Sequence, residues 1–191
     1  MLRIATVEDA EAILDIYQYY ILNTAITYEY EVPSIEEFRG RIQNTLEQYP
    51  YLVCERDGEI VGYAYASRLH PRAAYDYSAE SSIYVRHGLT KGGVGKELNE
   101  ALESILKMQH VQTIAACIAT PEEPDSYLNR NSVEYHTHMG YRMIGEFKRC
   151  AYKFHTWYNM VWMEKWLDAH EGEPAPFVPF PEIKKEVEKL L

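Results

Sequence analysis

Hydrophobic positions change period along this chain, and the changes mark its elements. "LRIAT", Leu2–Thr6, reads as a short strand. Apolar residues then fall at Ala10, Ile13, Leu14, Tyr17 and Ile21, the spacing of one helix face. Thr6 followed by Asp9 is a capping signal at its start. "NTAITYEYEVP" breaks the pattern as a polar and aromatic loop, and Ser34 with Glu37 opens a second helix through "IEEFRGRIQNTLEQ". "YLVCERDGEIVGYAYASR" switches to strand patterning around Asp57-Gly58, a tight hairpin turn. "SAESSIYVR" is a further strand, a glycine cluster precedes a helix to about Met108, and "VQTIAACIAT" is a buried-type strand. "SVEYHTHM" is a short helix stopped by Gly140, and "YRMIGEF" and "YKFHTWYNMVWMEK" read as the last two strands. Helices interleaved with hairpins in this order predict a mixed α/β (α+β) layered fold.

The pattern changes again at Ala169. Residues 1–168 read as one domain, and 169–191 as an extension. "GEPAPFVPFPE" is too rich in proline for helix or central strand. "EIKKEVEKLL" closes it as a short amphipathic helix through Ile183, Val187, Leu190 and Leu191. Its apolar residues Phe177, Phe180, Ile183 and Val187 predict docking on the body or on a partner subunit.

Composition narrows the function classes. A net charge of -10 argues against broad binding to a nucleic-acid backbone, which needs a basic face. No apolar run reaches the roughly 20 residues of a membrane span, and the N-terminus carries acids rather than a signal-peptide pattern. A soluble, cytoplasmic protein is expected. Cys54, Cys117 and Cys150 fit neither a zinc spacing nor a disulfide framework, so no metal is expected. Tyrosine is abundant at 17 residues, enough for both a core and an aromatic cleft.

The chemistry concentrates in "GLTKGGVGKELNEAL", Gly88–Leu102. It fails the P-loop pattern, because Gly95-Lys96 is followed by Glu97 and Thr90 stands where the first glycine belongs. It fails the dinucleotide fingerprint, because Leu98 occupies the third glycine position. A strand, a glycine-rich turn and a helix start still make an anion site from unpaired amides and the helix dipole. Lys91 and Lys96 add local positive charge. A plain flexible turn is the competing reading of this segment alone.

Thr90-Lys91-Gly92-Gly93-Val94-Gly95 resembles the pyrophosphate loop of the GNAT superfamily of N-acetyltransferases, [QR]-x-x-G-x-[GA], with threonine at the first position. "NRNSVEYHTHMGY" resembles the family's later motif, with Asn129, Ser132, His136, Gly140 and Tyr141 in register. "LNTAITYEYE", "HPRAAYDYSAESSIYV" and "KFHTWYNMVWMEK" resemble the phosphinothricin and methionine-sulfoximine acetyltransferase branch, and the likeness runs from Leu2 to about Leu167.

That resemblance implies a mostly antiparallel central sheet flanked by helices and splayed at the cofactor site. It implies acetyl-CoA as cosubstrate, with pyrophosphate on amides between Lys91 and Lys96, a segment covering Gly92, Gly93, Val94 and Gly95. The pantetheine arm would lie along Ile83, Tyr84 and Val85, with Asn129 and Ser132 facing it. Glu80 is implied as general base, and His136 as a residue that protonates the thiolate or steers the amine. Tyr28, Glu29, Arg72, Tyr75 and Lys153 are implied on the acceptor side, with Lys153 and Trp157 on strands that meet a second subunit in a homodimer. The expected acceptor is the amine of a small amino acid or amino-acid analogue. The alternatives are another amine (a protein N-terminus, a polyamine, an aminoglycoside) or an acyl-CoA-binding domain without turnover.

Overall fold

In the computed structural model, which describes residues 1–89 and 92–191, seven strands hydrogen-bond into one sheet. In chain order the elements are β1 (Leu2–Ile4), α1 (Ala10–Asn23), α2 (Ile35–Leu46), β2 (Tyr51–Arg56), β3 (Glu59–Arg68), β4 (Ser78–Val85), α3 (Val94–Met108), β5 (Thr113–Thr120), α4 (Asn131–His138), β6 (Arg142–Lys153), β7 (Thr156–Trp166) and α5 (Phe180–Leu190). The sheet order is β1-β2-β3-β4-β5-β7-β6. Every neighbouring pair is antiparallel except β4 and β5. Among the described residues no helix is long and apolar enough to cross a membrane.

Local chemistry sets the starts of the helices. The Asp9 carboxylate accepts the Thr6 amide at 2.8 Å and is held by Arg3 at 2.7 Å, fixing the turn into α1. Ser34 caps α2 by accepting the Glu37 amide at 3.1 Å.

The two faces of the sheet bury different layers. Residues paired across strands share a face, so Val53, Tyr63 and Tyr84 lie together, as do Tyr51, Tyr65 and Ser82. Against them pack Ile13, Ile16 and Tyr17 of α1 with Phe38 and Ile42 of α2. Tyr51 stacks on Tyr65 at 4.9 Å, and Tyr84 meets Tyr17 edge-on at 5.1 Å. Much of the tyrosine excess is therefore this layer. The other face, with Ala64, Ala66, Ile114 and Ala116, takes Leu98, Leu102, Ile105 and Leu106 of α3. Each of those four is fully buried, a gain of about 1.5–3 kcal/mol per side chain.

The tail packs on this second face. Phe180 and Val187 are buried in the α3 core. The Phe180 amide donates to Gln48 O at 3.0 Å, and buried Gln109 donates from Nε2 to Gln48 O at 2.7 Å and to Val178 O at 2.9 Å. These bonds clamp the ends of α2 and α3 together.

One strand boundary differs from expectation. The run beginning at Tyr152 is not a single strand: β6 continues to Lys153, and the chain reverses at Phe154-His155. Both residues are left-handed, with φ of 49° and 61°. An aromatic residue and a histidine carry none of the usual sequence marks of such a turn. A bulge at Arg149, whose amide donates to Asn159 Oδ1 at 2.8 Å, shifts the register of the same hairpin.

Candidate active site

The sheet forks at Glu80. The parallel pairing of β4 with β5 has three rungs: Ser78 with Thr113, Ala79 with Ile114, and Glu80 with Ala115. Beyond Glu80 the two strands part. The Arg86 amide donates to Val61 O at 2.8 Å, so by alternation Tyr84 and Ser82 also turn their backbone groups toward β3. Ser81, Ile83 and Val85 turn theirs toward the fork. The Ser81 hydroxyl donates to Ala115 O at 3.2 Å, and the Tyr20 hydroxyl donates to Val85 O. Ile83 thus presents a strand edge to the wedge, whereas Tyr84 contributes its ring to the α1 layer.

β4 points its C-terminal end at the start of α3. Gly93 is the N-cap, with φ of 77°, where a side chain would be strained. The first helical bond runs from the Glu97 amide to Gly93 O at 3.0 Å. The amides of Val94, Gly95 and Lys96 therefore lack intrahelical acceptors and aim off the helix end, an anion cradle. Lys96 reaches Glu100 at 3.8 Å. Thr90 and Lys91 lie outside the described residues.

Gly62 of β3 is a residue the sequence did not flag. A Cβ there would stand 2.8 Å from Val94 Cγ1 and 3.1 Å from Tyr84 O. Its hydrogen lets the first turn of α3 lie directly on β3, which holds the cradle at the mouth of the wedge. The sequence signal was only a glycine within a strand, the usual mark of close backbone approach.

α4 closes the cradle from the other side. The Tyr135 hydroxyl donates to Gly95 O at 2.8 Å. Behind it, Tyr141 donates to buried Asn99, whose amide meets Glu103, and Glu103 pairs with Lys165 of β7 at 2.8 Å. His136 stands edge-on between the Tyr135 and Tyr141 rings, each centroid 5.0 Å away. Its Nδ1 is 2.7 Å from Ser132 O, so Nδ1 carries the proton and donates it. Burial lowers its pKa, which keeps the imidazole neutral with Nε2 as acceptor. Asn129 is exposed, and its Oδ1 accepts the Asn131 amide at 2.9 Å at the entry to α4.

The face of the fork toward α1 and α2 is where an acceptor is expected. Glu80 is half-buried on the same face as Ser82 and Tyr84, and burial alone raises its carboxyl pKa. Across β5, Cys117 shares this face with Ala115. The loop between α1 and α2 covers it. Tyr28 donates to Asn159 O at 2.6 Å, and burial pushes its phenol upward. Glu29 accepts from Arg41 at 2.7 Å and from Tyr17 at 3.0 Å, so its carboxylate is already paired. Lys153 is only 3% exposed and donates from Nζ to Thr24 O at 2.9 Å and Thr27 O at 2.8 Å. Arg72 and Tyr75 are exposed on the β3–β4 connection, with Tyr75 against the His70 ring at 4.8 Å. Among the described residues no group of three or more His, Cys, Asp or Glu is arranged to hold a metal.

A cradle for a polyanion, an open strand edge and a half-buried carboxylate at the fork suit transfer from an extended, phosphate-bearing donor to an acceptor on the α1–α2 face. Comparison with known proteins points the same way. A family model described as acetyltransferase (GNAT) domain matches residues 2–162. Phosphinothricin N-acetyltransferase of Alcaligenes faecalis is 32% identical over 174 residues, covering 87% of this chain and 82% of that protein. The protein of that name from Streptomyces viridochromogenes is 29% identical over 182 residues, 95% of each chain. The crystal structure of a GNAT superfamily phosphinothricin acetyltransferase from Sinorhizobium meliloti, in complex with AcCoA, is similar with a TM-score of 0.84. It is 28% identical, and the match covers 94% of this chain and 96% of that one.

Proposed function

The chain belongs to the acetyltransferase (GNAT) domain family, and from that premise we propose that it moves an acetyl group from acetyl-CoA to the amine of a small amino acid or amino-acid analogue of the phosphinothricin or methionine-sulfoximine type. The observation that carries the reading is the fork, with Glu80 at its apex and the α3 cradle at its mouth. Bound acetyl-CoA supplies a thioester-activated acetyl group. The amides of Val94, Gly95 and Lys96 hold its pyrophosphate, with Gly92 and Gly93 leaving room for it. The backbone of Ile83 and Val85 lines its extended arm, and Asn129 and Ser132 flank it. An Ile83 or Val85 N–H is the donor toward the thioester oxygen, a contact typically worth about 3–4 kcal/mol of barrier.

Glu80 takes the proton that the acceptor ammonium must lose before attack. Its raised pKa brings it nearer to that task than a solvated carboxylate. Neutral His136, with its Nδ1–H committed to Ser132, steers the amine through Nε2 rather than supplying a proton. Tyr28 walls the acceptor, and Arg72 and Tyr75 reach its polar end from the β3–β4 connection, where a guanidinium can fork onto a carboxylate or phosphinate. Glu29 shapes this pocket through its pairing with Arg41.

The protein acts as a homodimer in the cytoplasm. Support for the dimer is the outer strand β6, which exposes Met143, Ile144 and Phe147, with Trp157 beside them on β7. An apolar edge of this kind is ordinarily covered. Support for the compartment is the set of three unpaired cysteines, Cys54, Cys117 and Cys150.

Thiol release from acetyl-CoA, measured across phosphinothricin, methionine sulfoximine, methionine sulfone and unrelated amines, tests the reading. Turnover with the amino-acid analogues is expected to fall about a hundredfold in Glu80→Gln at neutral pH, with acetyl-CoA affinity retained. Binding without turnover on every amine would leave an acyl-CoA-binding domain instead.

A further inference from the structure

We infer that Lys153 is a positioning residue that latches the acceptor loop onto the β6–β7 hairpin rather than a residue that touches the acceptor. The inference rests on the acceptor side proposed above. Lys153 is the last residue of β6, immediately before the Phe154-His155 turn. Its side chain crosses from the hairpin to the segment between α1 and α2, and its ammonium donates to the carbonyls of Thr24 and Thr27. Those carbonyls bracket Ala25 and Ile26, one residue short of Tyr28.

The same segment is tied to the hairpin twice more. Tyr28 donates to Asn159 O, and Tyr30 donates to Tyr152 O. Each of these bonds joins loop to hairpin across more than a hundred residues of sequence. The segment forms no strand or helix of its own, so its shape depends on such ties. Lys153 is the charged member of the set and the most deeply placed. Charge-assisted bonds are roughly twice as strong as neutral ones.

The surroundings favour a structural cation over a ligand contact. Two carbonyls occupy two of its three protons, and the Phe154 ring lies 5.1 Å from Nζ. Around the latch, Glu29 of the loop attracts the ammonium, while Arg41 of α2 and Tyr17 of α1 hold Glu29. Tyr28 comes from the loop and Tyr158 from β7, the latter donating to Asp125 at 2.7 Å. Burial, partly offset by Glu29, brings Lys153 down to about 8. The latch is therefore charged well below that pH and gives way progressively to a neutral amine as pH rises through it.

The position has a consequence for the proposed reaction. The hairpin that bears Lys153 also bears exposed Tyr152 and Trp157, beside the apolar β6 edge. Whatever covers that edge stiffens the hairpin and, through Lys153, the wall of the acceptor pocket.

The test compares the parent with Lys153→Met and Lys153→Arg in two independent readouts. The first is steady-state kinetics with an amino-acid acceptor and with its carboxamide, from pH 6 to 10. Lys153→Met is expected to raise acceptor KM about tenfold on both acceptors, with kcat within about threefold and acetyl-CoA affinity unchanged. The ratio of its KM to the parent's should decline above pH 8, where the parent loses its own charge. Lys153→Arg stays charged and should keep a low KM to pH 10. The second readout is amide hydrogen-exchange protection at Ala25, Ile26 and Glu29, which needs no turnover. Protection should drop in Lys153→Met and hold in Lys153→Arg. A loss confined to the carboxylate acceptor means direct contact and overturns the inference. So does unchanged exchange in Lys153→Met. If the parent turns over no acceptor, the proposed function fails while exchange still decides the latch. If Lys153→Met does not fold, the pH dependence of exchange in the parent against Lys153→Arg decides it.

Discussion

Replacing Gly62 with alanine tests whether helix–sheet packing sets cofactor affinity. The added methyl would stand 2.8 Å from Val94 Cγ1, 3.1 Å from Tyr84 O and 3.3 Å from Leu98 Cδ1. Carbon atoms in comfortable contact sit about 3.5–4.0 Å apart. Val94 must therefore retreat by about 0.7–1.2 Å, and it is the first residue of α3. Leu98 is fully buried and Tyr84 offers backbone, so neither yields easily. Overpacking of this kind costs about 1–3 kcal/mol. For a domain of this size that is about 2–12 °C in melting temperature. The retreat also displaces the amides of Val94, Gly95 and Lys96. A loss of about 1 kcal/mol in their hold on a diphosphate is about fivefold in dissociation constant. Gly40→Ala is the control, because nothing lies within 4 Å of a Cβ there and the residue is inside α2. That change should raise stability by about 0.5–1 kcal/mol and leave affinity alone. Calorimetric titration with acetyl-CoA and differential scanning calorimetry give both quantities. An unchanged melting temperature in Gly62→Ala would show that the contact relaxes freely. A lowered melting temperature with unchanged affinity would break the link from this glycine to the cradle.

Glu80→Gln should raise the melting temperature at neutral pH while it lowers turnover. A carboxyl whose folded pKa is raised contributes stability below its unfolded value, near 4.5, and loses it as pH rises through the folded value, so the ionised form is the costly one. Melting curves from pH 4 to 8 check this, and a variant less stable than the parent at pH 7 would contradict it. Phe180→Ala removes a side chain 1% exposed and should cost about 3–5 kcal/mol by denaturant unfolding. Acetyl-CoA affinity should survive, because α3 spans 15 residues, about 22 Å, between the tail clamp and the cradle. Phe147→Asp, at a residue 57% exposed on β6, should yield monomers in light scattering without changing the melting temperature of the isolated subunit. A parent that is already monomeric at micromolar concentration would remove the dimer.

Local signals made most of the fold legible. The Ser34 cap, the Asp57-Gly58 turn and the run of α3 act within a few residues, and each stands where the sequence puts it. The order of elements predicts the mixed α/β layering, the family resemblance implies the mostly antiparallel sheet, and the seven-stranded sheet agrees with both. What escaped depends on contacts that no short motif announces. The turn at Phe154-His155 uses residues with no turn chemistry and is held by the β6–β7 ladder itself. The family resemblance alone put Glu29 and Lys153 on the acceptor side, with no sign of their bonds within the fold. The structure commits Glu29 to Arg41 and Tyr17, and Lys153 to Thr24 and Thr27, pairings that no local pattern encodes. Gly62 was hidden because its reason lies across space, in Val94.

The fork between β4 and β5 also bears on solubility. A strand that stops pairing halfway along the middle of a sheet leaves a template for another extended chain, the same hazard as an outer edge but between two strands. Acetyl-CoA bound along Ile83, as proposed, would cap that template as an added strand does. On that placement the cosubstrate would cover the open edge as well as react. At a hundredfold excess over its dissociation constant it also adds about 2.7 kcal/mol to the folded state.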